Sequence, residues 1–271
     1  MPAVRRPLPA LLVVAGALIM LFRPSVPASG QIRIQNPSIP DDEQLVYSVK
    51  SGADSWIMRQ QCSLHAENGG SWYEFSSRSP EADTLIRLDP VTLFPRSSEV
   101  VTHARDSIIR RTTEIVKASF VAKADELIIA DDFASLPVIL RGFPWESTKA
   151  AHLVTLGSGG FGRSFSVDLA VAGKESLTLN GKTYECWKVQ IGVGGFLGSI
   201  MSSIMGKSLY WFSTDPTHYL VRSEGPTSAP GSPRQVVSCK AERSGDDKPG
   251  SWPTAPGRRS RPPGCQRRGD G

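Results

Sequence analysis

The sequence predicts a mainly β protein: a single antiparallel meander sheet curved into a barrel or half-barrel, with one or two short helices. Three observations carry that prediction. Apolar and polar residues alternate with period two along most of the chain, most clearly over 164–171, where Phe165, Val167, Leu169 and Val171 point one way and Ser164, Ser166, Asp168 and Ala170 the other. A strand of this kind has one buried and one wet face. Turn chemistry interrupts the alternation at short intervals. Finally, Asn180-Gly181, both tolerant of positive φ, lies between 176–179 and 182–191 as a strong two-residue hairpin signal.

In chain order, strands are expected at 44–50, 55–66, 71–78, 84–88, 98–104 and 107–117, with further candidates at 119–123 and 126–130. Segment 133–142 breaks the pattern. Leu136, Ile139 and Leu140 fall at helical spacing after Asp131 and Asp132, which suit a helix cap, and Pro137 limits the helix to one or two turns. It reads as a plug or cap on the sheet. After the hairpin, strands at 209–213 and 218–224 flank Thr214, Asp215, Pro216 and Thr217, where Pro216 presets a turn dihedral and removes a ladder donor. A last strand is expected at 235–241. The second break is 196–205, bounded by Gly194, Gly195 and Gly206. Phe196, Leu197, Ile200, Met201, Ile204 and Met205 recur there at helical spacing over Gly198, Ser199, Ser202 and Ser203, an apolar face about one third of a helix wide.

The two ends differ in composition from the middle. Arg5 and Arg6 precede an apolar run over 8–22, and Val26 with Ala28 satisfies the small-residue rule of signal cleavage. The chain is therefore expected to be exported to the periplasm, cut at Ala28/Ser29 or, second, at Gly30/Gln31. Interrupted by Pro9, the run falls short of the ~20 residues a spanning helix needs, so the mature chain is expected to have no transmembrane helix, with an uncleaved N-terminal anchor as the alternative. No cysteine follows it to carry a lipid. From Gly225 onward Pro, Gly, Ser and Arg dominate, a bias that also resembles an out-of-frame reading of GC-rich DNA, and 242–271 are expected to be disordered. The expected organisation is a signal peptide over 1–28, one β-barrel-like domain over 29–241, and the tail. The formal charge of +5 belongs to the ends, because 29–241 holds 21 Lys/Arg against 22 Asp/Glu. Binding nucleic acid needs a concentrated basic face, so no nucleic-acid partner is expected.

Export would place Cys62, Cys186, Cys239 and Cys265 in an oxidising compartment, where one or two disulfides can form, with three full connectivities open. No CxxC or Cys/His cluster points to a metal. Gly157 to Gly162 spells GxGxxG, but the alternation that follows is that of a strand, whereas dinucleotide binding needs a helix to begin there. Gly181-Lys182-Thr183 and Gly206-Lys207-Ser208 lack the upstream glycine of a phosphate loop. No nucleophile elbow is present, and His65, His103, His152 and His218 are scattered, as structural histidines are. Asp41, Asp42 and Glu43, like Asp131 and Asp132, are carboxylates in runs, and their positions at element starts favour capping and solvation over acid–base chemistry. No cofactor, metal or catalytic residue is expected, and the chain reads as non-enzymatic unless a site is assembled by the fold alone.

Thr183 to Val189, Lys207 to Gly225, the opening Glu43 to Val49 and the Leu136 to Arg141 segment carry a pattern: a strand with Tyr184-x-Cys186, close to a G-x-(F/Y)-x-C strand, then an aromatic strand, an acidic-Pro turn and a strand ending in V-R-x-E-G. Over about 40–241 the chain resembles the bacterial family catalogued as domain of unknown function 3108. The resemblance implies an exported envelope protein with a curved antiparallel sheet, similar in outline to lipocalin-like and lipoprotein-carrier folds, and no established reaction. The insertion 192–206 and the basic tail depart from it. Two functions are expected. One is binding of a lipid or other apolar or amphipathic envelope ligand, with Phe196, Leu197, Ile200, Met201, Ile204 and Met205 as flap or membrane contact, as soft thioether side chains suit. The other is a structural or assembly role with an envelope protein, through strand addition at a sheet edge. Trp56, Trp72, Trp145, Trp187 and Trp211, with Tyr47, Tyr73, Tyr184, Tyr210 and Tyr219, line a cavity or fill a core, and alternation does not say which.

Overall fold

A computed structural model describes residues 32–67, 69–104, 107–114, 126–130, 135–156, 166–193, 207–226 and 233–243. The expected leader, the 119–123 strand, Asp131 and Asp132, the GxGxxG motif, all six residues of the 196–205 apolar face, and the tail from 244 onward lie outside the described residues. Within them, thirteen strands form one sheet. In chain order they are β1 (Gln44–Ser51), β2 (Asp54–Glu67), β3 (Gly70–Arg78), β4 (Ala82–Leu88), β5 (Pro95–Ala104), β6 (Ser107–Glu114), β7 (Glu126–Ala130), β8 (Ala150–Leu156), β9 (Ser166–Leu179), β10 (Lys182–Val193), β11 (Ser208–Ser213), β12 (Leu220–Pro226) and β13 (Arg234–Arg243). A single helical turn, α1 (Leu136–Ile139), runs into a 3₁₀ turn at Leu140–Gly142.

The sheet is two meanders sewn together. β1 to β6 run outward in order on one side, β13 back to β7 on the other, and β1 pairs with β13 along its whole length. β7 at one edge comes close to β5, next to the other edge, and no ladder joins them among the described residues. The sheet is therefore a curved, unclosed half-barrel. All neighbours are antiparallel except β7 and β8, which are parallel. That departs from the expected all-antiparallel meander, and its cause is the plug. Parallel strands need a long crossover. The residues between β7 and β8 supply one, and it carries α1 across the concave face.

Local chemistry sets most boundaries where the alternation put them. Asn180 and Gly181 have φ of 52° and 81°, both positive as a two-residue hairpin of β9 and β10 demands. β12 begins two residues later than expected, because the His218 N–H closes back on the Asp215 carbonyl at 3.1 Å. The Asp215 carboxylate binds the Ser213 hydroxyl and the Thr217 N–H and hydroxyl, locking that turn. β13 runs two residues beyond 241, into the stretch expected to be tail.

Leu136, Val138, Ile139 and Leu140 are buried in the same core as Leu45, Tyr47, Phe75, Trp187, Phe212 and Tyr219. Arg141 ends this apolar run and is itself buried at 3% side-chain exposure, against 4% for its partner Glu43. Nη1 and Nη2 of the guanidinium donate to the two Glu43 oxygens at 2.5 and 2.8 Å, and Nε donates to the Thr217 carbonyl at 2.8 Å. Glu43 is thus not the solvated residue its acidic run suggested. It sits one step before β1 on the inward side of the 43, 45, 47, 49 alternation, whereas Asp41 does cap, accepting the N–H groups of Asp42 and Leu64. Gly142 lets the plug touch the segment before β1: a Cβ there would stand 2.3 Å from the Gln35 carbonyl oxygen. The same segment is tied to the β4–β5 turn, where the Asn36 N–H and Nδ2 donate to the Val91 and Pro90 carbonyls.

That turn is built on Asp89, whose Oδ1 accepts from the Val91 N–H, the Thr92 N–H and the Thr92 hydroxyl and whose Oδ2 accepts from Arg96. It delivers Leu93, at φ 51°, fully buried into the core. Burial alone raises the Asp89 carboxyl, but the hydrogen bonds from Thr92, Arg96 and Val91 outweigh it and bring it down to about 2.

Two outcomes are expected. Arg141→Met leaves a buried carboxylate without its partner and should cost about 3–5 kcal/mol, while a combined Glu43→Leu and Arg141→Met exchange should recover most of it, measured by urea unfolding. Because the folded-state value of Asp89 lies below its ordinary 3.8, its stabilisation is complete above about pH 4 and disappears as pH falls through about 2. Asp89→Asn should flatten that part of the pH profile of the unfolding midpoint.

Candidate functional site

Residues paired across ladders share a face, so the registers define rows that cross the sheet. One concave row runs Trp56, Val49, Val237, Ser223, Tyr210, Val189, Val171, from β2 to β9. Six strand spacings make it about 29 Å long. It lies six residues along β1 from Glu43, about 20 Å from the plug's ion pair. Val49, Val237 and Val189 are buried, and Trp56, Ser223, Tyr210 and Val171 are half-buried. Met58, one pair nearer the plug opposite Tyr47, is half-buried too. The row holds apolar and hydroxyl side chains and no charge. Burial pushes the Tyr210 phenol up to about 12, so it stays a neutral donor.

The two ends of the concave face differ. At one end the plug, the segment before β1, the Asp89 turn and the Asp215 turn meet, and the interior is filled. Trp145 packs there on Phe143, Trp187 and Phe212, with centroids 4.9, 6.4 and 5.1 Å apart. At the row's end, β10 stops at Val193 and β11 restarts at Ser208. The connection between them contains Phe196, Leu197, Ile200, Met201, Ile204 and Met205. Of the tryptophans and tyrosines, Tyr47, Tyr73, Trp145, Trp187, Trp211 and Tyr219 are buried in the core cluster. Trp72 stacks on His65 at 5.5 Å on the opposite face.

Burial sets the state of the interior polar groups. It pushes the Tyr47 phenol well above its ordinary value, and the Tyr47 hydroxyl has no hydrogen-bond partner among the described residues. Burial, reinforced by Glu43, raises the Cys62 thiol, and burial raises Cys186 to about 12, so neither supplies a thiolate at neutral pH. For Arg141, burial works against the charge, and the hydrogen bonds and charge of Glu43 more than restore it. Cys62 and Cys186 are free thiols on opposite faces of the sheet, so a disulfide between them is not formed. The histidines are kept apart. His103 meets Asp83 at 3.2 Å, His152 meets Asp168 at 2.7 Å, and His218 meets the Ser213 carbonyl at 3.0 Å. Among the described residues, no three His, Cys, Asp or Glu side chains gather as metal ligands.

Sequence reasoning missed the Glu43–Arg141 pair. Its signal was an arginine closing an otherwise apolar run. The row from Trp56 to Val171 was missed as a unit because ladder registers between distant strands are not written in local pattern.

No family model matches the chain, so the resemblance to domain of unknown function 3108 rests on the residues that carry it. No curated protein matches it either. Solved structures that align with it include a β-barrel-like protein of domain of unknown function 1849 from Brucella abortus, at 9% identity over 78% of this chain and 98% of that one, with a TM-score of 0.38. The hypothetical lipoprotein YmcC from Escherichia coli aligns at 10% identity over 75% and 88%, TM-score 0.31. A LolA superfamily protein, NE2245 from Nitrosomonas europaea, aligns at 6% identity over 77% and 89%, TM-score 0.20.

Proposed function

We propose that this chain is an exported, non-enzymatic binding protein of the cell envelope that takes an apolar or amphipathic ligand on the concave face of its half-barrel. The observation that carries this reading is the uncharged row from Trp56 to Val171, half-buried at both ends and about 20 Å from the sealed plug. Its binding energy is that of removing apolar surface from water. Phe196, Leu197, Ile200, Met201, Ile204 and Met205 form the flap over the ligand, attached where the row ends. The periplasm is the compartment, with the signal removed near Ala28, and 29–241 is the working domain.

A second reading, assembly with an envelope protein through strand addition, is favoured by one observation. β6 is a sheet edge, and its Ile108 and Ile109 are 71% and 57% exposed.

The test titrates the full chain with N-phenyl-1-naphthylamine, which fluoresces in apolar surroundings. Binding is expected, with Trp56→Ala weakening it roughly tenfold and Ile200→Asp with Met201→Asp abolishing it at an unchanged unfolding midpoint. Unaltered affinity in both variants overturns the proposal. Retention of an envelope protein by the full chain, lost on Ile109→Pro, would support the edge reading in its place.

A further inference from the structure

The convex face carries a second recess, opposite in chemical character to the concave row. β9 and β10 slip register between Lys188 and Val189, at a bulge next to Gly173, whose φ is 123°. Beyond the bulge the hairpin turns its Leu177 and Leu179 side, shared with Tyr184 and Cys186, toward the convex face, and β9 reaches β13. A cleft of about 310 Å³ lies between the hairpin tip and the strands, lined by Ser48 and Lys50 of β1, Arg222 of β12, Val236 and Ser238 of β13, and Leu179 and Asn180.

This lining is rich in donors and holds no carboxylate. Arg222 is held from one side: Glu224 accepts from its Nε at 2.7 Å and also contacts Nη2, and its guanidinium lies 5.9 Å from the Trp211 ring. Nη1 remains without an acceptor among the described residues. Lys50 is exposed and likewise meets no acceptor among them. Glu224 offsets Arg222, so the uncompensated charge at the cleft is that of Lys50. Leu179 and Val236 supply an apolar wall. The Ser48 hydroxyl donates to the Ser238 carbonyl at 3.4 Å, which leaves two cationic donors, the Ser238 hydroxyl and the Asn180 amide around one small recess to match the oxygens of an anion. The volume, at the lower end of the range of ligand pockets, suits a small molecule with one short apolar part.

We infer that this cleft binds a small organic anion, with its carboxylate or phosphate oxygens on Lys50 and Arg222 and its apolar portion against Leu179 and Val236. The site is independent of the concave row.

The experiment titrates the full chain with octanoate, 1-octanol and inorganic phosphate, following amide shifts by NMR. Octanoate should bind, shifting residues 48–50, 179–180 and 236–238, with 1-octanol and phosphate each at least tenfold weaker. Lys50→Gln, an exposed replacement that leaves the core untouched, should weaken octanoate about tenfold, as should raising NaCl from 50 to 500 mM; Arg222→Gln should do the same. Trp56→Ala should leave it unchanged. Octanoate that fails to bind, binds no better than 1-octanol, or binds Lys50→Gln undiminished overturns the inference. So does loss of binding in Trp56→Ala alone, which assigns the molecule to the concave row. Phosphate equal to octanoate overturns the apolar contact.

Discussion

The fold turns on one buried ion pair. An unclosed sheet has no final ladder to hold its curvature, so the curvature must be held from inside, and Glu43 with Arg141 does this at the point where the two meanders join. The guanidinium spans three parts of the chain: its own plug, the entry to β1 through Glu43, and the β11–β12 turn through the Thr217 carbonyl. Apolar packing alone would bury the plug in several orientations at similar free energy. A bidentate pair has one geometry, and because an unpaired charge in this interior is so costly, any slip of the plug is penalised steeply. The pair therefore acts as a registration device more than as a source of net stability.

From that constraint follows the asymmetry of the molecule. At the plug end the chain crosses itself repeatedly, and each crossing is hydrogen-bonded: Gln35 to Gly142, Asn36 to the β4–β5 turn, Tyr73 to the Ile39 carbonyl. Leu93, in a left-handed conformation that a leucine adopts only when its surroundings compel it, is held by the Asp89 turn. At the other end the ladders end at Ser51, Val193, Ser208 and Arg234, with connections between them. A half-barrel fixed at one end and bounded by connections at the other has one direction in which an interior surface can be approached.

Local chemistry made much of this legible. Alternation located the strands other than β8, Asn180-Gly181 gave the β9–β10 register as far as Gly173, and Pro137 with the apolar spacing gave a plug of one or two turns. These signals act between residues a few positions apart, where pattern and turn geometry leave few alternatives. The β1–β13 ladder was not legible, since it joins strands about two hundred residues apart through complementarity that no local period expresses. Nor was the parallel β7–β8 pair, because a strand's own alternation is the same whichever way its neighbour runs. Glu43 looked like its acidic neighbours Asp41 and Asp42, and only the position of Arg141 distinguishes them. The concave row shares that fate, being a property of registers and not of any one strand.

Bulges do the remaining work of making one sheet present two unlike surfaces. An unbroken ladder would keep every second residue of β9 and β10 facing the core, and the hairpin beyond the plug would expose an apolar side to water. The slip at Lys188/Val189 inserts one residue in β9 and exchanges its faces, so Val171 stays with the core beside Val189 while Leu177 and Leu179 turn outward to join Cys186, which the unbroken alternation of β10 already places on the convex side. A second slip, at Trp211/Phe212, leaves Val221 of β12 as the extra residue, so that Leu220 pairs with Phe212 on the inner face and Arg222 with Trp211 on the outer, where Lys188 and Arg222 lie 5.4 and 5.9 Å from the indole ring. Cations over that indole cover apolar surface with their stems and leave their charged ends at the rim. One sheet thus separates an uncharged concave row from a cationic convex cleft by strand alternation, adjusted at single-residue offsets in the β1–β13, β9–β10 and β11–β12 ladders that the row crosses.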